Sequence, residues 1–204
     1  MCIEKNVAEQ LICIILDDKL KTKDTINARL DMKAIGIHSG QWMQVDVHTG
    51  RQIKPKASYH LDKDEKQQFC QILKDLKLST SFSSNLSNIV TLNPPSLHSL
   101  KSHDYHVLVE FLLPILLQHA FSKHRDLRRA IQQISLFFNL LCSKVLIRKD
   151  VQRAKYMVAE ALCVLEKHFS PSFFDISIHL MVHLADEALI CGSTGHRWMY
   201  PFER

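Results

Sequence analysis

Hydrophobic positions recur at helical spacing along most of this chain. In residues 4–20, Val7, Leu11, Ile12, Ile14, Ile15 and Leu16 recur at that spacing, and no Gly or Pro interrupts them. A shorter helix is predicted over 24–35, with Thr22 or Asp24 as its cap and Gly36 as its stop. Together these two helices predict a helical hairpin. Residues 38–60 alternate weakly in MQVDVH, turn at Thr49 and Gly50, and resume with RQIK before Pro55, the pattern of a small β-hairpin or extended connector. Asp62 followed by Glu65 has the spacing of a capping box and opens a helix whose apolar face is Phe69, Ile72, Leu73 and Leu76.

Residues 79–99 are rich in Ser and Asn and carry Pro94 and Pro95, so a long loop is expected there. Four helical stretches follow. They are 102–120 with a kink at Pro114, 124–147, 150–168, and 171–190, the last opened by Ser170 as cap and Pro171 in the first turn. The expected fold is therefore mainly α: a helical bundle with an N-terminal helical hairpin and at most a small β-hairpin connector. Five glycines in 204 residues agree with helices joined by few tight turns rather than a turn-rich β-sandwich. The expected organisation is a hairpin at 1–36, a connector at 37–60, and a helical domain at 61–204.

A net charge of +5 is mild, but its distribution is uneven. Lys123, Arg125, Arg128, Arg129, Lys144, Arg148, Lys149, Arg153 and Lys155 face only Asp126 and Asp150 between positions 123 and 155. Arg125, Arg128 and Arg129 crowd the opening turns of a predicted helix, where positive charge opposes the macrodipole. A solvated face explains them simply; phosphate contact is the sharper reading. Lys123, Arg125, Arg128, Arg129, Arg148 and Lys149 are the DNA-binding candidates. The six cysteines, at 2, 13, 70, 142, 163 and 191, form no CxxC pair, and most lie in apolar helical stretches, which points to a reducing compartment. Glu4, Lys5 and Glu9 occupy the place where a secretory signal needs a basic start and an apolar run. The charge-free stretch 130–143 is well short of the roughly 20 residues that span a bilayer. A soluble intracellular protein without a membrane segment is expected.

Two histidine pairs are the candidate metal ligands. His179 and His183 lie four apart on one predicted helix, with Asp186 and Glu187 along roughly the same stripe. Leu180 takes the place of the glutamate that would make a metalloprotease motif. His103 and His106 share the first turn of another helix, where Ser102 as cap and Asp104 near the dipole have ordinary structural reasons. If the two helices touch, the four histidines would converge on zinc; hydrogen-bonded structural roles are the simpler account, and no cofactor is expected. Asp17 and Asp18 read as a solvated helix end. No phosphate-cradling glycine loop or GxSxG elbow is present and no Cys/His pair near in sequence is convincing, so no catalytic residue is predicted. The first helix starts with no capping lead, and Trp198, Met199, Tyr200 and Phe202 crowd the end. These rings are expected to dock on the preceding helices or to meet a further segment of a longer protein.

Several strings carry a family resemblance: MCIEKNV, KTKDTINARLDM, FSSNLSNIV, LKSHDYHVLVEFLLP, LFFNLLCSKVL, LEKHFSPSFFDISIHLMVHLADEA and HRWMYPFER. Together they resemble the plant domain of unknown function found in transposase-like proteins of CACTA (En/Spm-type) transposable elements, downstream of the catalytic region. The resemblance implies a nuclear, non-catalytic, transposase-associated module with transposon DNA or the transposase core as partners. It places Ile3 to Asn6 at the edge of an RNase H-like core, with Cys2 where the family usually has His and Tyr105 where Cys is often seen. Two-metal strand transfer needs several carboxylates on one fold, and the rest of such a core is absent here. The competing readings are a zinc-binding domain or metal-dependent enzyme built on the histidine clusters, and a decayed transposon fragment without activity.

Overall fold

A computed structural model describes residues 2–77 and 85–194 of the chain. Helix α1 (Cys2–Ile15) lies at the centre: Val7, Ala8, Leu11, Ile12, Ile14 and Ile15 are all buried. A helix apolar on most of its faces is stable only when enclosed. It packs against α4 (Ser102–Val107) and α8 (Ile176–Cys191). It stops short of the expected Leu20 because Asp17 adopts a left-handed backbone, φ 48°, beyond which Leu20 is 94% exposed.

Helix α2 (Ile26–Ile35) ends at Gly36, as predicted, with φ 81°. Its cap is Thr25, whose Oγ1 accepts from the Ala28 N–H, in place of the expected Thr22 or Asp24. The Asp24 carboxylate is engaged by Arg29 instead. α2 rests chiefly on two 3-10 turns, Ser39–Gln41 and Pro171–Phe173. The connector forms the small hairpin expected from its pattern: β1 (Gln44–Val45) pairs antiparallel with β2 (Gln52–Ile53), and Gly50 supplies a positive φ in the turn.

Helix α3 (Lys63–Asp75) starts at the predicted box, with the Asp62 N–H donating to Glu65 Oε2 at 2.8 Å. The segment expected to be an irregular loop through residue 99 contains a second hairpin. β3 (Val90–Leu92) pairs with β4 (Pro95–Leu97), Val90 facing Leu97, and both pack on α3. Three-residue strands without alternation leave little periodic signal.

The expected kink at Pro114 takes a specific form. α4 is followed by a π-helical turn over Leu108–Leu112 and then by the short α5 (Leu113–Leu116). Proline has no N–H to give the carbonyl four residues back, here that of Glu110, so the α-helical ladder cannot continue through this point. The Leu113 N–H reaches Leu108 instead, closing the wider turn. The cap of α4 is Lys101, and Ser102 is the first helical residue rather than the expected cap; Asp104 accepts from the Lys101 N–H at 2.8 Å.

Helices α6 (Arg125–Cys142) and α7 (Arg148–Glu166) form the largest helix–helix contact. Leu127, Ala130, Ile131, Ile134, Phe137, Phe138 and Leu141 recur at three- and four-residue steps and are all buried. The two helices run antiparallel, since His168, just past α7, reaches Asp126 at the start of α6. Ser170 and Pro171 open a 3-10 turn rather than the last helix. Asp175 caps α8, accepting from the Ser177 N–H at 2.9 Å.

One core joins all of this: its buried hydrophobics run from Val7 to Ala188. Among the described residues, no helix is long and apolar enough to cross a membrane. Trp198, Met199, Tyr200 and Phe202 lie outside the described residues.

Candidate functional site

Four side chains from distant parts of the chain converge where α1, α4, the π turn and α6 meet. Glu4, His106, Glu110 and Cys142 each offer a donor atom, and these atoms lie within 4.8 Å of one another. Central α1 brings Glu4, which is 4% exposed, onto α4, and His106 Nδ1 lies 2.7 Å from Glu4 Oε1. His106 and Glu110 are four residues apart and share a face, with Nδ1 and Glu110 Oε1 3.1 Å apart. The π turn that carries Glu110 follows from Pro114, and such turns occur frequently at functional sites. Ser135, buried on α6, donates to the Val109 carbonyl and so pins this turn to the bundle.

The electrostatics of the cluster are unusual for a core. Glu110 is 6% exposed, and Oε1 has no hydrogen-bond partner. Burial pushes its carboxyl up to about 7; a hydrogen bond with Cys142 and the charge of His106 oppose that shift, and neighbouring Glu4 adds to it. Burial, with both carboxylates nearby, also pushes the Cys142 thiol up. Cys142 Sγ sits 3.4 Å from Thr194 Oγ1, and Thr194 and Ser193 are bonded to the end of α6 through the Leu141 and Ser143 carbonyls. Chemically, two buried carboxylates with a partly buried imidazole and thiol make a metal-capable donor set.

The predicted histidine pairs do not converge on one point. His179 and His183 are exposed on α8 and meet each other, Nε2 to Nε2 at 3.3 Å. His103 and His106 have ring centroids 6.0 Å apart on α4, and of the four only His106 joins a group of potential metal ligands among the described residues. Asp186 pairs with Lys155 at 2.8 Å instead of completing the His179 stripe.

The basic run also divides in space. Lys123, Arg125 and Arg129 are exposed at the start of α6. Arg128 beside them is partly buried and donates to the Gln118 carbonyl at 2.7 Å, a structural tie to the end of the preceding segment. Arg148 and Lys149 are exposed at the start of α7, which in an antiparallel pair is the opposite end. At 1.5 Å per residue the two groups stand about 25 Å apart.

Two further polar groupings have internal explanations. His168 bridges Ser58 Oγ at 3.2 Å and Asp126 Oδ2 at 2.9 Å, so both ring nitrogens are occupied. Asp24 receives a two-pronged contact from the fully buried Arg29, at 2.5 and 2.7 Å, and Lys54 and His60 each lie 3.1 Å away. Burial opposes the Asp24 charge, but Arg29, His60 and Lys54 more than offset it and hold the carboxyl well below its usual range. Asp17 joins this knot through Lys54.

Sequence reasoning reached His106 but not its partners. The four-residue step from His106 to Glu110 was a visible signal. Glu4 and Cys142 had none, because only tertiary packing brings α1 and the end of α6 to that step.

Residues 141–204 match a family described as a domain of unknown function, DUF4218. This span includes Cys142, α7, α8 and the RWMYPFER string. No curated protein and no solved structure matches the chain.

Proposed function

We propose that this chain is a non-catalytic accessory module of a CACTA-type transposase, contacting element DNA through the start of α6 and packing against the transposase core. The observation that carries the reading is the cationic end of α6: Lys123, Arg125 and Arg129 are exposed together and form no ion pair with another described residue. Three cations at a helix start run against the dipole, and a polyanion would relieve their mutual repulsion. The family-like strings spread from MCIEKNV to HRWMYPFER support the transposase association, and the match at 141–204 is consistent with that resemblance. A nuclear location follows from the same reading.

The test is binding to a DNA duplex over a salt series. Each phosphate contact contributes about −0.9 to the log–log slope, so replacing Lys123, Arg125 and Arg129 with Ala should flatten the slope by about 2.7. An unchanged slope would remove the α6 end from the interface. The Arg148→Ala, Lys149→Ala pair separates the two basic ends, since only the end touching DNA alters the slope.

A further inference from the structure

We propose that Glu4, His106, Glu110 and Cys142 form a closed four-ligand site for a divalent transition metal, with zinc the best fit, that fastens the N-terminal helix to the bundle. The donors would be one oxygen from each carboxylate, His106 Nδ1 and Cys142 Sγ. A mixed nitrogen, oxygen and sulfur set suits zinc, whereas calcium and magnesium select oxygen alone.

Geometry supports this site over the alternatives. Tetrahedral zinc, with bonds of about 2.0–2.3 Å, holds its donors roughly 3.3–3.8 Å apart. His106 Nδ1 lies 2.7 and 3.1 Å from the two carboxylate oxygens, and all four donors lie within 4.8 Å of one another, so capture takes donor shifts of under ~1 Å. Glu110 Oε1 is the second, independent sign: a buried carboxylate oxygen facing His106 Nδ1 without a hydrogen bond. Leaving such a group unsatisfied is costly unless something else completes it. Among the described residues, neither Glu4 nor Glu110 forms an ion pair with Lys or Arg.

The other two groupings lack this opening. At Asp17, Asp24 and His60, His60 Nε2 is likewise buried without a hydrogen bond, but the carboxylate it faces at 3.1 Å already holds Arg29 and Lys54, two cations that would repel an added metal ion. At His124, Asp126 and His168, the His168 ring is bonded at both nitrogens and Asp126 is exposed.

The site would be structural. Its ligands come from α1, α4, the π turn and the end of α6, so a bound ion would cross-link residue 4 to residues 106, 110 and 142. All four positions are taken by protein, leaving none for a substrate. The inference is independent of DNA binding, and either can fail without the other.

The experiment adds cobalt(II) to the reduced, metal-stripped full chain. A thiolate-to-cobalt charge-transfer band with tetrahedral d–d absorption should appear at stoichiometric metal, be displaced by zinc, and accompany a rise in melting temperature. Cys142→Ser should abolish the charge-transfer band. Glu4→Gln and Glu110→Gln should each weaken binding at least about tenfold, since even outer partners of metal ligands carry roughly 10- to 100-fold. Cys163→Ser and Cys191→Ser, at exposed cysteines, should leave the spectrum unchanged. No band from the unaltered chain at stoichiometric cobalt, a measurement that needs no variant to fold, overturns the site. So does a band that survives in Cys142→Ser. Binding without a thiolate band that is lost in His179→Ala would place the metal on the surface pair and equally overturns it.

Discussion

Two buried polar clusters among the described residues are built on opposite electrostatic plans. Around Asp24, a carboxylate with a fully buried side chain meets a two-pronged guanidinium, a lysine and a histidine. Attraction there outweighs desolvation, and the acid is held strongly ionised. Around Glu4 and Glu110, two carboxylates share one imidazole and a thiol. Desolvation wins in that cluster, and Glu110 is driven up to about 7. Burial of charge alone therefore does not mark a functional site. In the first cluster the carboxylate is balanced by a guanidinium and an ammonium, while in the second two carboxylates share one imidazole and, among the described residues, no lysine or arginine.

The largest expected effect that would test this contrast is at the completed knot. Asp24→Asn should cost about 3–5 kcal/mol in urea unfolding, because it strands Arg29 as a buried charge. A loss below about 1 kcal/mol would mean that water or a neighbour compensates Arg29, and the knot would not be closed. The pH dependence sharpens the point. The folded carboxyl sits below its usual 3.8, so Asp24 contributes its full stabilisation above that value and loses it as pH falls through the lower folded value. The gap between the unaltered chain and Asp24→Asn should thus be widest near neutrality and close progressively below pH 4. A gap independent of pH would assign the loss to packing.

The smallest expected effect falls at the other cluster. In metal-free protein, Glu110→Gln should change stability by about 1 kcal/mol or less in either direction, because Oε1 makes no hydrogen bond and His106, its one charged neighbour of opposite sign, keeps Glu4 at 2.7 Å. A loss as large as that of Asp24→Asn would erase the distinction between the two clusters.

Much of the secondary structure was legible in the chain because it depends on neighbours in sequence. The burial periodicity of α6, the Gly36 stop, the Asp62–Glu65 box and the turn at Gly50 all appear where spacing and residue type placed them. Errors arose where a tertiary partner competed for a local signal. Asp24 had the right chemistry for a cap, but Arg29 claimed its carboxylate. Ser170 and Pro171 made a convincing helix start, yet they open a 3-10 turn five residues before α8. The hairpin at 90–97 was missed because strands this short gain their stability from α3 beneath them rather than from their own pattern.

By itself, then, the sequence determined the mainly α character and most helix boundaries, since helical periodicity and capping act over three to five residues. It also displayed every ionisable group that matters. Only the tertiary structure decided which of them meet. It split one basic run between opposite ends of an antiparallel pair, kept His179 and His183 on the surface, and drew Glu4 and Cys142 to His106 and Glu110. Contacts between residues about a hundred positions apart are set by which apolar faces pack together, and polar side chains are carried to their partners by that packing.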